Sequence, residues 1–527
     1  MSRRSFESFN LEKYSTEYER RGREVLKCFE GDKLSRFSEH TLSLELSLSN
    51  SLSHTHNSHT DQSNKMSTPT VESLAMDLAT YKKEVDSMYL LICGALVVFM
   101  QAGFAMLEAG TVKSVNVRNV LFKNLADACV GGLIFWLLGF GFAYGGSDDS
   151  SFIGDSSSGG KNSFAFRVDA EYDNEYERAN IGYAWITFFF QYAFAAAATT
   201  IVSGAVAGRT KLVAYLAYSV LITGFIYPVV VHWVWDGEGW ISAFSSDTFK
   251  GGMIDFAGSG VVHMVGGIAA LVGAIAVGPR KGRFESNSSS KSFGAHSAPL
   301  QVLGTFILFV GWFGFNCGST LGVAGYSHAM ARAAVTTTLC AVAGGLTTAI
   351  IGKIIDGKWD LGMMCNGILA GLVSITAGCS VVESWASILI GIIGGLVCFG
   401  ASRALVYLKI DDPLDAFPVH GACGAWGCIA VGLFCTSDYT YNTKGYEGLF
   451  YGGGELLGVQ LVGILCEMLW VGGTTVLLFF SLSQFGLLRV SEEEEEQGLD
   501  ISEHEGPAYV GSPMKVVSKA AVTPSAV

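Results

Sequence analysis

Long apolar runs, separated by short polar stretches, fill the chain from about residue 85 onwards. Each run is about 20 residues long, the length that an α-helix needs to cross the hydrocarbon core of a bilayer. The runs predict eleven spanning helices, centred near residues 98, 133, 194, 222, 269, 308, 340, 369, 393, 427 and 468. The expected fold is therefore an all-α polytopic membrane protein.

Both ends of the chain depart from this pattern. The first 65 residues are rich in serine, histidine and charge, and they lack the apolar core of a secretory signal. His54, His56 and His59 lie in this low-complexity stretch, which does not by itself predict a metal site. We expect three regions: a disordered or additional N-terminal tail (1–85), a membrane domain (86–482) and a cytoplasmic tail (483–527).

Basic residues in the loops predict the orientation, because cytoplasmic loops carry an excess of lysine and arginine. Basic residues follow the odd-numbered helices: Lys113, Arg118, Lys123, Arg209, Lys211, Arg280, Lys281, Arg283, Lys353, Lys358, Arg403, Lys409 and Arg489. We therefore expect a multi-pass protein of the cell membrane with an extracellular N-terminus and a cytoplasmic C-terminus. Lys82 and Lys83 argue mildly against this orientation, because they precede the first helix.

Composition agrees with a membrane protein. Only 15% of the 527 residues are charged and 65 are glycine, whereas an average soluble domain is about 25% charged. The 12 cysteines lie mostly inside apolar runs and show no metal-ligand spacing with histidines, so they predict packing residues. No basic stripe is present, and nucleic-acid binding is not expected.

Two histidines, His263 and His420, lie inside the fifth and tenth predicted helices. An ionisable side chain at membrane depth is costly, so it usually lines a polar path or a site. Asp255 and Asp412 each precede one of these histidines by eight residues. Because five helices invert the copy that follows, the repetition predicts an inverted 5+5 repeat plus one C-terminal helix, with the two histidine helices meeting near the midplane.

Facing imidazoles have a definite chemistry. One ring donates a hydrogen bond from a ring nitrogen and the other accepts it, and burial disfavours a charged ring, so a neutral pair is expected. Such a pair offers polar partners to a small hydrogen-bonding molecule and a relay for a proton. The alternative is two unrelated core histidines bonded to backbone carbonyls.

Aromatic and hydroxyl side chains are predicted on the outer side of the third, fourth and sixth helices. Four residues share this position: Trp235, Ser319, Phe194 and Phe315. A tryptophan face attracts a cation, and together the four indicate a vestibule for a small cation. The alternatives are ordinary packing for each phenylalanine and interfacial anchoring for the tryptophans, which we favour for Trp233 and Trp240.

Two acidic features of the outer side also have two interpretations. Asp255 either binds a cation or caps the fifth helix, and we favour the cap with an electrostatic contribution to the vestibule. The loop over residues 146–181 is strongly acidic. It either enriches cations near the surface or is simply well solvated.

Three segments, Asp255–His263, Gly311–Ser319 and Asp411–Gly424, closely resemble the Amt/Mep/Rh ammonium transporters. The resemblance covers residues 85–510, and Ser319 and Trp235 favour the Amt branch. Residues Gly498–Tyr509 resemble the regulatory tail of plant and algal members.

The resemblance implies a homotrimer with one pore per subunit and no cofactor or metal. It implies transport of ammonium or ammonia, with methylammonium as an analogue. It assigns recruitment of the cation to Trp235, Ser319 and Asp255, a gate to Phe194 and Phe315, and the pore pair to His263 and His420. Ser502 falls where plant relatives carry a phosphorylated threonine, which implies a kinase acting on the tail.

The functional hypothesis is recruitment of ammonium, deprotonation in the vestibule and passage of ammonia along the histidines, with proton co-transport left open. The alternative is an ammonium sensor that signals through its tail. A gas channel of the Rh type is disfavoured by Ser319 and Trp235. An enzyme is not expected, because no nucleophile–base pair, phosphate loop or metal cluster is visible.

Overall fold

The computed structural model describes residues 70–146, 150–155, 164–168, 172–245, 248–285, 293–437, 446–504 and 506–509. The expectations for residues 1–69, including the histidine tract, lie outside these ranges. So do parts of the acidic loop and the end of the tail.

Helices account for the regular structure in these ranges. Ten are long and apolar enough to cross a membrane: α1 (Val71–Thr111), α2 (Ser114–Tyr144), α3 (Glu175–Val206), α4 (Leu212–Trp235), α5 (Ser259–Val277), α6 (Ala298–Gly318), α7 (Ser327–Asp356), α9 (Ser384–Tyr407), α10 (Phe417–Phe434) and α11 (Glu455–Gln484). At the eighth predicted position lies a shorter apolar helix, α8 (Leu361–Thr376). Its 16 residues span about 24 Å at the usual rise. The predicted all-α polytopic fold is confirmed.

Polar side chains cap the start of several helices. Thr70, Asn174 and Asp360 each accept a hydrogen bond from the backbone N–H three residues further on. A helix leaves its first N–H groups without partners, and a short polar side chain at this position satisfies one of them. These residues set where α1, α3 and α8 begin.

The first helices of the two halves, α1 and α6, pack along each other. A Cβ atom on Gly304 of α6 would lie 2.4 Å from the backbone nitrogen of Leu107 on α1, so only glycine allows this approach. Small residues that bring backbones together are the usual means of packing helices in a bilayer. Helices α5 and α10, the fifth of each half, also meet inside the bundle.

The ends of several odd-numbered helices gather at one end of the bundle. Arg209 is fully buried and donates to the carbonyls of Gly278 and Asp411. Lys123 donates to the Thr210 carbonyl at 2.7 Å, and Thr210 also pairs with Arg489. Some of the basic residues that predict the orientation therefore also hold separate segments together by hydrogen bonds to backbone carbonyls. That this end faces the cytoplasm stays a prediction.

Candidate functional site

The two histidines lie in the first turns of α5 and α10. Both helices begin with a π-helical turn, Ser259–Met264 in α5 and Phe417–Ala422 in α10. A Cβ atom on Gly267 would lie 2.0 Å from the backbone nitrogen of Gly421, one residue after His420. The two backbones therefore touch beside the histidines, and no larger residue than glycine fits at Gly267.

The imidazoles of His263 and His420 face each other across this contact. Their Nδ1 atoms are 3.2 Å apart, and the ring centroids are 5.3 Å apart. The two residues are 0% and 5% exposed, respectively, so the pair is buried inside the bundle. One Nδ1 must donate and the other accept. The predicted encounter is present, and its role in conduction stays a prediction.

A column of aromatic rings continues from this pair in both directions. On one side Phe315 stacks on His263 with centroids 5.3 Å apart, and Phe194 stacks on Phe315 at 4.0 Å. On the other side Phe104 lies 6.2 Å from His420. Phe194 and Phe315 are buried, so their rings leave no open passage to His263 on this side.

Two members of this arrangement were not predicted from the sequence. Trp312 stacks on His263 at 5.0 Å, and its indole nitrogen donates to the hydroxyl of Thr376. Phe104 closes the other end. Neither carries a polar signal, because an aromatic residue in an apolar helix looks like any other packing residue.

The predicted vestibule residues lie together next to Phe194 and Phe315. Trp235 meets the edge of Phe194 at 5.9 Å, and its indole nitrogen donates to the Asp255 carbonyl at 2.7 Å. The Ser319 hydroxyl donates to the Phe315 carbonyl at 2.8 Å. Both side chains are partly exposed.

The interpretation of Trp233 as an interfacial anchor is wrong. Its side chain is only 5% exposed, and its indole nitrogen donates to the Phe152 carbonyl at 2.8 Å. Trp240 and Trp470 pack against its ring. A ring enclosed in this way does not reach the lipid headgroups.

Asp255 caps α5. Its two carboxylate oxygens accept from four consecutive backbone N–H groups, residues 258–261, at 2.8–3.0 Å. A carboxylate has about four acceptor positions, so this cap uses all of them. Burial raises the pKa of Asp255, and the four N–H groups oppose the rise by stabilising the carboxylate. The geometry therefore favours a cap over direct contact with a cation.

Asp412 occupies the corresponding position before α10. One carboxylate oxygen accepts from the backbone N–H of Phe417 at 2.8 Å. The other is buried and has no hydrogen-bond partner among the residues that the structure describes. The eight-residue interval from aspartate to histidine thus corresponds to a cap in both halves.

Three buried acids in spanning helices were not predicted from the sequence. Glu108 on α1, Asp127 on α2 and Glu467 on α11 are 2%, 1% and 2% exposed. A single acidic residue inside an apolar run was the signal that marked each position. Within the described ranges, both Glu467 oxygens lack a hydrogen-bond partner.

The tail that holds Ser502 docks against the first turns of α2. Leu499 donates its backbone N–H to Asn116, and the Asp500 carboxylate accepts from the Asn119 backbone N–H, both at 2.9 Å. Leu499 and Asp500 are fully buried. Ser502 ends the short helix Leu499–Ser502, and its hydroxyl bonds only loosely to the Gly498 carbonyl at 3.4 Å.

No cluster that could hold a metal ion is present among the residues described. The 11 cysteines in these ranges are all free, and most are buried, in keeping with packing. The site consists of imidazoles, aromatic rings and a hydroxyl around a dry core.

Comparison with known proteins assigns the chain to a family. Residues 88–509 match the model of the Ammonium Transporter Family. The chain belongs to the ammonium transporter family. The predicted resemblance is confirmed, and the protein is a multi-pass membrane protein of a transporter family.

Plant relatives agree with this assignment. The chain is 46% identical to the "Putative ammonium transporter 1 member 5" of Arabidopsis thaliana over 419 residues, or 76% of this chain and 81% of the relative. It is 43% identical to "Ammonium transporter 1 member 3" of Solanum lycopersicum over 453 residues, or 82% and 95%. These relatives are named transporters, not enzymes.

Solved structures of the family have the same fold. A structure named "Sensor Amt Protein" matches with a TM-score of 0.70 at 33% identity, covering 80% of this chain and 99% of that one. Mep2 of Candida albicans matches with a TM-score of 0.67 at 26% identity, covering 78% and 87%.

Proposed function

We propose that this ammonium transporter family member recruits ammonium at an outer vestibule, removes its proton and passes ammonia along the histidine pair. The contact between His263 and His420 carries the proposal. Trp235 and Ser319 supply the cation-attracting ring and a hydroxyl at the entrance. Asp255 supports them by fixing the start of α5.

Selectivity follows from the cost of dehydration. Moving a bare cation into a dry interior costs several kcal/mol even after the protein relaxes. Ammonium avoids this cost by giving up its proton, whereas potassium has no proton to give. The buried rings at His263 and His420 therefore favour passage of a neutral molecule.

The imidazole pair offers ammonia two different partners. In a contact between two Nδ1 atoms, the ring that donates keeps a lone pair on Nε2, and the ring that accepts keeps a hydrogen on Nε2. The Nε2 atom of His263 is buried and has no partner among the described residues. An unsatisfied polar atom costs about 1–3 kcal/mol, and a passing ammonia molecule would relieve that cost.

The stacked rings of Phe194 and Phe315 act as the gate in this proposal. Their centroids are 4.0 Å apart, and both side chains are buried, so the substrate needs a ring rotation to reach His263. Exclusion of water at this level keeps the imidazoles dry.

Replacement of His263 tests the proposal. We expect His263→Ala to abolish ammonium uptake and proton-coupled current, because the dry path loses a polar partner. The matched control is His232→Gln, since His232 is also buried but bonds backbone carbonyls of Ala143 and Ser150 outside the ring column. Currents with ammonium, methylammonium and potassium are recorded at equal surface expression. Full, potassium-excluding ammonium current in His263→Ala would reject the pore assignment.

An ammonium sensor is the second candidate. Two observations support this candidate: the similarity to the structure named "Sensor Amt Protein" and the docking of the tail on α2. Growth of a cell that lacks ammonium uptake separates the two. Rescue of growth by the full chain supports the transporter, and failure to rescue with tail-dependent signalling intact supports the sensor.

The remaining parts of the proposal concern assembly and regulation. We infer a homotrimer in the cell membrane with one pore per subunit, an extracellular N-terminus and contact with lipid along the outer helix faces. The segment from residue 483 onwards then acts as a cytoplasmic regulatory tail, and a kinase modifies Ser502.

A further inference from the structure

A small cavity lies beside His420, on the side of the histidine pair away from Phe315. Its volume is about 20 Å³. A cavity needs roughly 10–15 Å³ to hold one water molecule, so it accommodates a single molecule of the size of water or ammonia. Its polar lining consists of Glu108, Thr200 and His420, and Phe104, Leu107 and Val419 are among its apolar lining.

Glu108 is held rigidly at this cavity. The Ser203 hydroxyl donates to one of its carboxylate oxygens, and the Asn124 amide donates to the other at 3.1 Å. Each oxygen accepts one bond, so the carboxylate keeps further acceptor capacity. Asp127 and Lys123 both lie near enough to interact electrostatically with this carboxylate, with opposite signs. Glu108 is thus an oriented acceptor with capacity left for a small donor.

A purely structural role accounts for only part of this arrangement. Two donors are enough to stabilise a buried carboxylate as part of a helix contact. A structural contact does not require that the carboxylate share a molecule-sized cavity with the imidazole of the histidine pair. Thr200 adds a third polar group: its single hydroxyl hydrogen is shared between Gln101 Oε1 and the Ala196 carbonyl, so its oxygen keeps its acceptor positions.

Asp255 and Glu108 differ in how many hydrogen-bond acceptor positions they have left for a ligand. Asp255 accepts four backbone N–H groups, which exhausts its acceptor positions. Glu108 accepts two and lines an open volume. A carboxylate at membrane depth that faces a cavity is a candidate functional site.

We propose that Glu108, Thr200 and His420 form an inner binding site for the transported molecule. Ammonia leaving His420 is held there by hydrogen bonds, and ammonium that enters from the tail-bearing face is stabilised there by the charge of the Glu108 carboxylate. The proposal rests on the transport function inferred above. It makes the two ends of the path different: an aromatic and hydroxyl entrance on one side, and a carboxylate site on the other.

Transport measured separately from each face tests this site. Full-length protein is placed in sealed vesicles of known orientation, and initial uptake of radiolabelled methylammonium is measured with substrate on one face at a time. We expect Glu108→Gln to raise the KM at the tail-bearing face about tenfold, the effect of losing about 1.4 kcal/mol of binding free energy. The KM at the opposite face should stay within about twofold, since that entrance is unchanged.

Glu467→Gln is the matched control. Glu467 is also a buried acid of a spanning helix, 2% exposed, and it does not line the cavity. We expect this variant to leave the ratio of the two KM values unchanged. Thr200→Val provides a second variant if Glu108→Gln does not fold, with a change of about threefold in the same direction.

The outcomes separate the two proposals. An equal KM change at both faces, or no change at either, in Glu108→Gln or in Thr200→Val in its place, would overturn the inner site while leaving the transport function in place. Wild-type vesicles that take up no methylammonium from either face would instead overturn the proposed function, and the inner site with it.

Discussion

The two histidine segments start from the same local pattern and differ in how their aspartates are used. In the segment Asp255–His263, called the outer segment because the proposed vestibule lies beside it, Asp255 accepts four backbone N–H groups. Helix α5 therefore begins with a complete cap. In the segment Asp412–His420, called the inner segment, Asp412 accepts one such bond. Its other carboxylate oxygen is buried without a partner among the residues described. One sequence pattern therefore supports a tightly fixed segment and a less constrained one.

The neighbours of the inner segment explain this difference. Asp411, next to Asp412, accepts from the Arg280 side chain at 2.7 and 2.9 Å. Arg280 leads into Lys281, whose ammonium pairs with Glu492 of the tail at 2.7 Å. The inner segment is thus connected through a basic loop to the tail. We infer that regulation reaches the histidine pair from this side, whereas the outer cap is self-contained.

Replacing the two capping aspartates, each in its own variant, tests this difference directly and has the largest expected effect. Asp255→Asn replaces an acceptor of four N–H groups with an amide whose NH₂ opposes them. We expect a loss of about 3 kcal/mol or more in unfolding free energy and no uptake. Asp412→Asn can keep its single capping bond through the amide oxygen, and we expect a loss of about 1 kcal/mol or less with reduced uptake. Thermal melting in detergent and methylammonium uptake measure both. Equal losses in the two variants would contradict the difference between the caps.

The Arg280–Asp411 pair gives an intermediate effect that depends on pH. Burial alone would raise the pKa of Asp411, but hydrogen bonds and charge from Arg280, together with the charge of Arg209, lower it to about 2. A folded-state pKa below the ordinary 3.8 stabilises the fold above pH 3.8, and this contribution is lost as the pH falls toward 2. We expect Arg280→Ala to cost about 3 kcal/mol at pH 7.

The cost of Arg280→Ala should shrink at pH 4, because the buried carboxyl then takes a proton in the variant. Melting of both proteins in detergent at pH 7 and pH 4 measures the difference. Arg283→Ala is the control, since Arg283 lies 3.3 Å from Asp411 and is partly exposed. Its expected cost is about 1 kcal/mol or less. An Arg280→Ala cost that is the same at both pH values would contradict the role assigned to the ion pair.

The parts of the molecule that could be predicted from sequence are those with a local or repeated signal. Helix number follows from the length of apolar runs, and the pairing of His263 with His420 follows from their equal distance to Asp255 and Asp412. The cap at Asp255 is local as well, because its partners lie three to six residues away.

The parts that escaped prediction depend on contacts between distant segments. Glu108 and His420 are more than 300 positions apart, and nothing in either segment indicates a shared cavity. Glu467 is visible as an acid in an apolar run, but its neighbour Gly260 comes from another helix. The sequence around Trp233 is typical of an interfacial residue, but Trp470, from the last helix, packs against its ring.

Charge at Ser502 should give the smallest effect and act on the inner segment alone. Ser502→Asp adds a negative charge to the short helix Leu499–Ser502, which also carries Asp500, whose second oxygen is buried without a partner in the described part of the chain. Repulsion should weaken the docking of the tail on Asn116 and Asn119. We expect the maximal uptake rate to fall about threefold, which corresponds to about 0.7 kcal/mol. The KM at the outer face should not change, because the vestibule is not in contact with the tail.

Ser502→Asn is the matched control, because it has nearly the shape of aspartate without its charge. Uptake by Ser502→Asn and Ser502→Ala should equal that of the wild type. Equal uptake by the Asp and Asn variants would remove the charge switch. A change in outer KM would instead connect the tail to the vestibule, which would contradict the assignment of regulation to the inner segment.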